Sequence, residues 1–94
     1  MSNVEYWDGS WKARPSLGEV HEVGPDSWEA VHATEYGYVD MQAERYAHGA
    51  YTWLEFIWKG RLYRRTICAY YGPRYAARLA TQFAREVTKG TVLA

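Results

Sequence analysis

The chain has 94 residues, 48% of them hydrophobic, which suffices for one small domain with a modest core and excludes a disordered chain. Its net charge is zero, yet the charges are segregated. Residues 1–55 hold ten carboxylates against Lys12, Arg14 and Arg45, a balance of −7, whereas residues 56–94 hold eight cations against Glu86 alone, a balance of +7. The single cysteine, Cys68, excludes an internal disulfide and fits a reducing compartment. With no basic-then-apolar leader and no apolar run of membrane-spanning length, a cytoplasmic protein without membrane contact is expected.

One domain is expected over residues 1–94, with 1–26 an irregular acidic segment and 27–94 a sheet-and-helix core. From Val4 to Trp11 the chain places Asp8-Gly9 between aromatics, a turn signal that suits a small hairpin or one strand ending at Pro15. Residues 15–26 contain Pro15, Gly18, Gly24 and Pro25 among Glu19, Glu22 and Asp26, the composition of an acidic loop. Asp26 with Glu29 three residues later resembles a capping box, so a short helix is predicted over Asp26–Tyr36, ended by Gly37. The alternation of Trp28-Glu29-Ala30-Val31 suits a strand as well. Val39 to Glu44 alternates strictly and is read as the first strand of the sheet, although its composition suits a helix equally.

The stretch Tyr51–Lys89 is the easiest to interpret. Trp53–Trp58 and Leu62–Cys68 are rich in aromatic and β-branched residues, and Lys59-Gly60 between them suits a type I′ turn. That turn sets Trp58 opposite Arg61 and makes Glu55 and Arg64 cross-strand neighbours. Leu54, Phe56, Trp58, Tyr63, Arg65 and Ile67 then share the more aromatic face, assigned to the core. Trp53, Glu55, Ile57, Leu62, Arg64 and Thr66 share the other. Cys68 is expected to be a small buried hydrophobe. A C-terminal helix starts at Pro73 and stops at Gly90. Tyr75, Leu79, Phe83 and Val87, with Ala76 and Ala80, form its apolar face, and Arg74, Arg78, Arg85 and Lys89 fall within about 60° of one another on the opposite side. The fold class is therefore α+β: an antiparallel sheet of three strands, or four, packed on a C-terminal helix, with a short helix before the sheet.

The run Trp58-Lys59-Gly60-Arg61-Leu62-Tyr63-Arg64-Arg65-Thr66-Ile67, followed by a helix opening at Tyr71-Gly72, resembles the AP2-like domains, including the arm-binding domains of phage integrases. The resemblance covers about the last forty residues. It implies a three-stranded sheet laid in the DNA major groove, with Trp53, Glu55, Arg64 and Thr66 facing DNA. The order helix, strands, helix is also similar to double-stranded RNA-binding domains, without their glycine and paired-lysine signature. In size and in its acidic first half the chain resembles phage-encoded inhibitors of the anti-CRISPR type.

Residues suited to catalysis are sparse. His21, His32 and His48 lack the spacing of ligand pairs, and Cys68 has no neighbouring base, so neither a metal site, a cofactor nor an enzyme is expected. Two binding functions are expected instead. One is nucleic-acid binding through Trp53, Arg61, Arg64, Arg65, Thr66, Arg74 and Arg78. The alternative is an inhibitor that presents Glu19, Glu22, Asp26, Glu29, Glu35 and Asp40 to the basic groove of a nucleic-acid-binding protein complex. The abundance of aromatics, five Trp and nine Tyr, is also compatible with a homodimer.

Overall fold

In the computed structural model, which describes residues 20–90, Lys59 and Gly60 take φ of 52° and 77°. Positive φ at both central residues is the requirement of a type I′ turn, whose twist matches that of the flanking strands. The turn joins β4 (Gly49–Trp58) to β5 (Arg61–Ile67), and Trp58 pairs with Arg61 as predicted. Three more strands precede this hairpin: β1 (Val20–Gly24), β2 (Ser27–Thr34) and β3 (Gly37–Tyr46). All five pair antiparallel in sequence order, as a meander. Each connection is a loop of two residues: Pro25-Asp26, Glu35-Tyr36, Ala47-His48 and Lys59-Gly60. The Glu35-Tyr36 turn is held by Thr34, whose Oγ1 donates to the Gly37 carbonyl at 2.6 Å and accepts from the Tyr36 amide at 3.1 Å.

The α+β class stands, but the sheet has five strands and no helix precedes it among the described residues. The predicted helix at Asp26–Tyr36 is instead β2 and its turns. Trp28, Val31 and Thr34 suit a pleated surface, and pairing of every residue from Ser27 to Thr34 with β3 outweighs one capping box. Gly37 does not cap a helix; it opens β3 with φ 133°. Part of the segment assigned to an acidic loop is β1, which binds the free edge of β2 from Val20 to Gly24. The hairpin expected at Val4–Trp11 lies outside the described residues.

The one described helix, α1 (Pro73–Thr88), starts with Pro at N1 and closes on Gly90, whose φ is 75° and whose amide donates to the Val87 carbonyl at 3.0 Å. Ala76, Ala80, Phe83, Ala84 and Val87 bury its inner face against Ala30, Val39, Met41, Ala43, Leu54 and Phe56. Tyr75 and Leu79 are half-buried at its flanks. Small alanines let the helix lie close to the sheet, and Phe83 fills the centre. Before the helix, the Thr52 hydroxyl donates to the Ala69 carbonyl at 2.6 Å, and the buried Tyr70 stacks on Trp28 at 4.9 Å. The connection therefore crosses from the β5 edge to β2, and α1 returns across the sheet until Glu86 meets Arg65 of β5. This detour also corrects the expectation for Cys68. The strand stops at Ile67, and the thiol is exposed.

His32, on the helix side of β2, is 4% exposed, and its Nε2 has no hydrogen-bond partner among the described residues. Burial pushes its imidazole below the ordinary value of 6.5. The folded chain therefore keeps His32 neutral where the unfolded chain already binds a proton. Its contribution to stability is present above pH 6.5 and lost as pH falls through the depressed folded value. Thermal unfolding followed by circular dichroism should show Tm dropping as pH falls from 7 to 5.5, and His32→Leu should flatten that drop. An undiminished drop in His32→Leu would assign it to other groups.

Candidate nucleic-acid interface

Strand alternation and the two-residue loops sort side chains onto two sides of the sheet. On the helix side, Trp28 pairs with Ala43, Leu54 with Arg65, Phe56 with Tyr63 and Trp58 with Arg61. On the open side, Asp40 pairs with Glu55, Glu44 with Tyr51, Trp53 with Thr66 and Glu55 with Arg64. The charges follow this division. Arg45, Arg61 and Arg65 project to the helix side, where α1 and its C-terminal end add Arg74, Arg78, Arg85 and Lys89; among the described residues of the strands and helix the carboxylates there are Glu22 and Glu86, and Asp26 in the β1–β2 turn lies 4.0 Å from Arg45. Among the described residues, the open side carries Glu29, Asp40, Glu44 and Glu55 against Arg64. Six of the eight cations of residues 56–94 thus lie on the helix side, while four carboxylates of residues 1–55 lie on the open side.

Aromatic rings lie among the helix-side cations. Arg45 sits over Trp28 at 5.0 Å, Lys59 over Trp58 at 5.7 Å and Arg61 over Tyr63 at 5.6 Å. Arg65 lies over Phe83 at 5.1 Å and Arg78 over Tyr75 at 5.9 Å. All five contacts are on this side. They hold four guanidinium groups and the Lys59 ammonium against aromatic surface. Between β1, β2 and the start of α1 a cleft of about 590 Å³ is lined by Glu22, Trp28, Arg45, Tyr70, Tyr71 and Pro73. Burial raises the Tyr70 phenol pKa, an effect that Arg45 partly offsets.

The seven residues predicted to contact nucleic acid do not form one surface. Arg74 and Arg78 are exposed on α1, and Arg61 joins them from the tip of the β4–β5 hairpin. Trp53, Arg64 and Thr66 project to the open side. Arg64 is held by Glu55 at 2.6 Å, which offsets the repulsion between Glu55 and Asp40 directly across β3 and β4. Arg65 lies on the helix side but is committed to structure: its Nη2 donates to Glu86 Oε1 at 2.5 Å, tying α1 to the edge strand. This hydrogen bond holds the Glu86 carboxyl below its ordinary range. Lys59 and Trp58 at the hairpin tip and Arg45 over Trp28 were not among the predicted contacts. The I′ turn was the signal for the first two; nothing local marks Arg45.

The six carboxylates of the alternative reading are dispersed as well. Glu22 is on the helix side of β1, Asp26 and Glu35 are in turns, and Glu29 and Asp40 are on the open side. Glu19 lies outside the described residues. The sheet that the AP2-like resemblance implies has three strands, and the face it would set in a DNA groove is the acidic one here. Among the described residues no three His, Cys, Asp or Glu side chains converge as metal ligands, and no helix is long and apolar enough to cross a membrane. The chain matches no protein-family model, and neither a curated protein nor a solved structure shows significant similarity to it.

The two adjacent arginines of β5 should differ sharply on truncation. Arg65, whose side chain is 30% exposed, loses a charged hydrogen bond and its packing on Phe83; Arg65→Ala should cost about 1–2 kcal/mol. Arg64, 72% exposed, should cost about 0.5 kcal/mol or less. Urea denaturation of both variants measures the difference. Equal losses would refute the structural role given to Arg65.

Proposed function

We propose that this protein is a non-enzymatic nucleic-acid-binding module whose helix side lies against the sugar-phosphate backbone. The observation that carries this reading is the sorting of charge across the sheet: among the described residues of its strands and helix, seven cations face two carboxylates on the helix side, with Asp26 of the β1–β2 turn 4.0 Å from Arg45. Six of those seven cations are arginines, whose planar fork suits phosphate oxygens.

Arg74, Arg78, Arg85 and Lys89 line the outer face of α1 over about 22 Å. Arg61 and Lys59 extend the basic surface to the hairpin tip, and Tyr71, 78% exposed beside Arg74, provides a ring for base or sugar contact. Arg65 contributes by holding the helix in place rather than by touching the ligand. Backbone contacts of this kind fix position and not sequence, so binding with little sequence preference is expected.

Fluorescence anisotropy with random duplex and single-stranded oligonucleotides at two salt concentrations tests the proposal. The logarithm of affinity should fall linearly with the logarithm of salt, and Arg78→Gln should reduce that slope by about one. Absence of binding at low salt, or an affinity indifferent to salt, would overturn it.

A further inference from the structure

The open side of the sheet is closed over β2, where Val31 is 1% exposed and Glu29 is buried. It opens toward the end of β3 and the start of β4, and four rings gather there. Tyr46 stacks on His48 with centroids 5.3 Å apart and planes 11° from parallel. Tyr51 stacks on Trp53 at 6.0 Å and 27°. The two stacks meet at Tyr51, whose ring inclines by 57° to Tyr46 and 55° to His48. Register explains the assembly. Tyr51 pairs with Glu44, two residues before Tyr46, so Tyr46 and Tyr51 are diagonal neighbours on the same side of β3 and β4, and the two-residue turn places His48 beside them. None of the four rings belongs to the hydrophobic cluster beneath α1, and Tyr46 and His48 are exposed. This aromatic corner therefore adds nothing to the core.

The charges around the corner set the sign of what it can hold. The Tyr46 hydroxyl donates to Glu44 Oε1, which fixes that carboxylate against the first stack. Glu55 flanks Trp53 on β4, already bridged to Arg64, the only cation on this side among the described residues. A phosphate chain approaching these rings meets carboxylates. A guanidinium or ammonium group meets both ring faces and a fixed acceptor.

We propose that the corner formed by Tyr46, His48, Tyr51 and Trp53, with Glu44 at its rim, docks an arginine- or lysine-rich segment of a partner protein. The site is separate from the basic helix side, on the opposite surface of the sheet. Charge complementarity selects its occupant: the corner offers aromatic faces beside a carboxylate, and a basic peptide side chain offers a cation on an apolar stem.

The test uses the full chain and three labelled probes in anisotropy titrations: an arginine- and lysine-rich nonapeptide, its uncharged counterpart and a random single-stranded RNA. The basic peptide should bind, and its affinity should fall about tenfold in Glu44→Gln and in Tyr46→Ala. Arg78→Gln should leave peptide binding unchanged. Circular dichroism should give both open-side variants the parent Tm, and Glu44→Gln, which keeps the side-chain shape, remains informative if Tyr46→Ala unfolds. The proposal is overturned if the basic peptide binds no better than the uncharged one, or if neither variant weakens it. It is also overturned if the RNA, rather than the peptide, loses affinity in Tyr46→Ala. Because Arg78→Gln reports on the helix side alone, failure of nucleic-acid binding there and failure of peptide binding at the corner are separately visible.

Discussion

Four consecutive hairpins close through loops of two residues, and the organisation of the molecule depends on that constraint. A two-residue loop fixes which residues face each other, and because side chains alternate along a strand, it also fixes which side of the sheet each one occupies. From β2 to β5 the pairing continues without a slip. Only β1 departs from it, with a register shift between Glu22 and Gly24 that leaves Val23 unpaired and 57% exposed. A bulge at an edge strand is tolerated because nothing pairs beyond it. A one-residue slip of register in an inner strand would instead exchange its buried and exposed sets.

The helix exploits this regularity. Its alanines approach a side already lined by Val39, Met41, Leu54 and Phe56, and the connection through Ala69 and Tyr70 carries the chain from the β5 edge to β2 before the helix begins. The crossing covers the inner strands and brings Glu86 to Arg65. The edge strand is thereby attached to the helix through a charged hydrogen bond together with the packing of Arg65 on Phe83. The arginines at positions 61, 64 and 65 also make β5 a poor template for pairing with another chain, since a free edge rich in cations repels a second copy of itself.

Where turn and cap chemistry was explicit, the sequence was legible. Lys59-Gly60 defined the turn, the register and the Glu55–Arg64 pair, and Pro73 with Gly90 bounded the helix. β2 was obscured because Asp26 and Glu29 have the spacing of a capping box and its alanines favour helix locally; only pairing with β3 makes the strand the better solution. β1 was hidden by the Gly and Pro around it, and Cys68 by a strand that ends one residue earlier than its composition suggests. For the binding surface, the hairpin register already separated Arg64 and Thr66 from Arg61 and Arg65, so residues from two sides were grouped into one site. Which side would gather the helix cations, and that Arg65 would be committed to Glu86, depends on where α1 returns across the sheet. No local pattern in the sequence encodes that path.

The opposed charge of the two sides has a consequence beyond binding itself. A sheet whose described residues set cations on one side and carboxylates on the other contributes a dipole directed along its normal. In the field of a polyanion such a molecule is turned before contact, so that encounter is oriented rather than random. Once seated by its basic side, it would present the acidic side outward. The coated polymer would keep a negative exterior, available to cationic surfaces, the basic side of another copy included.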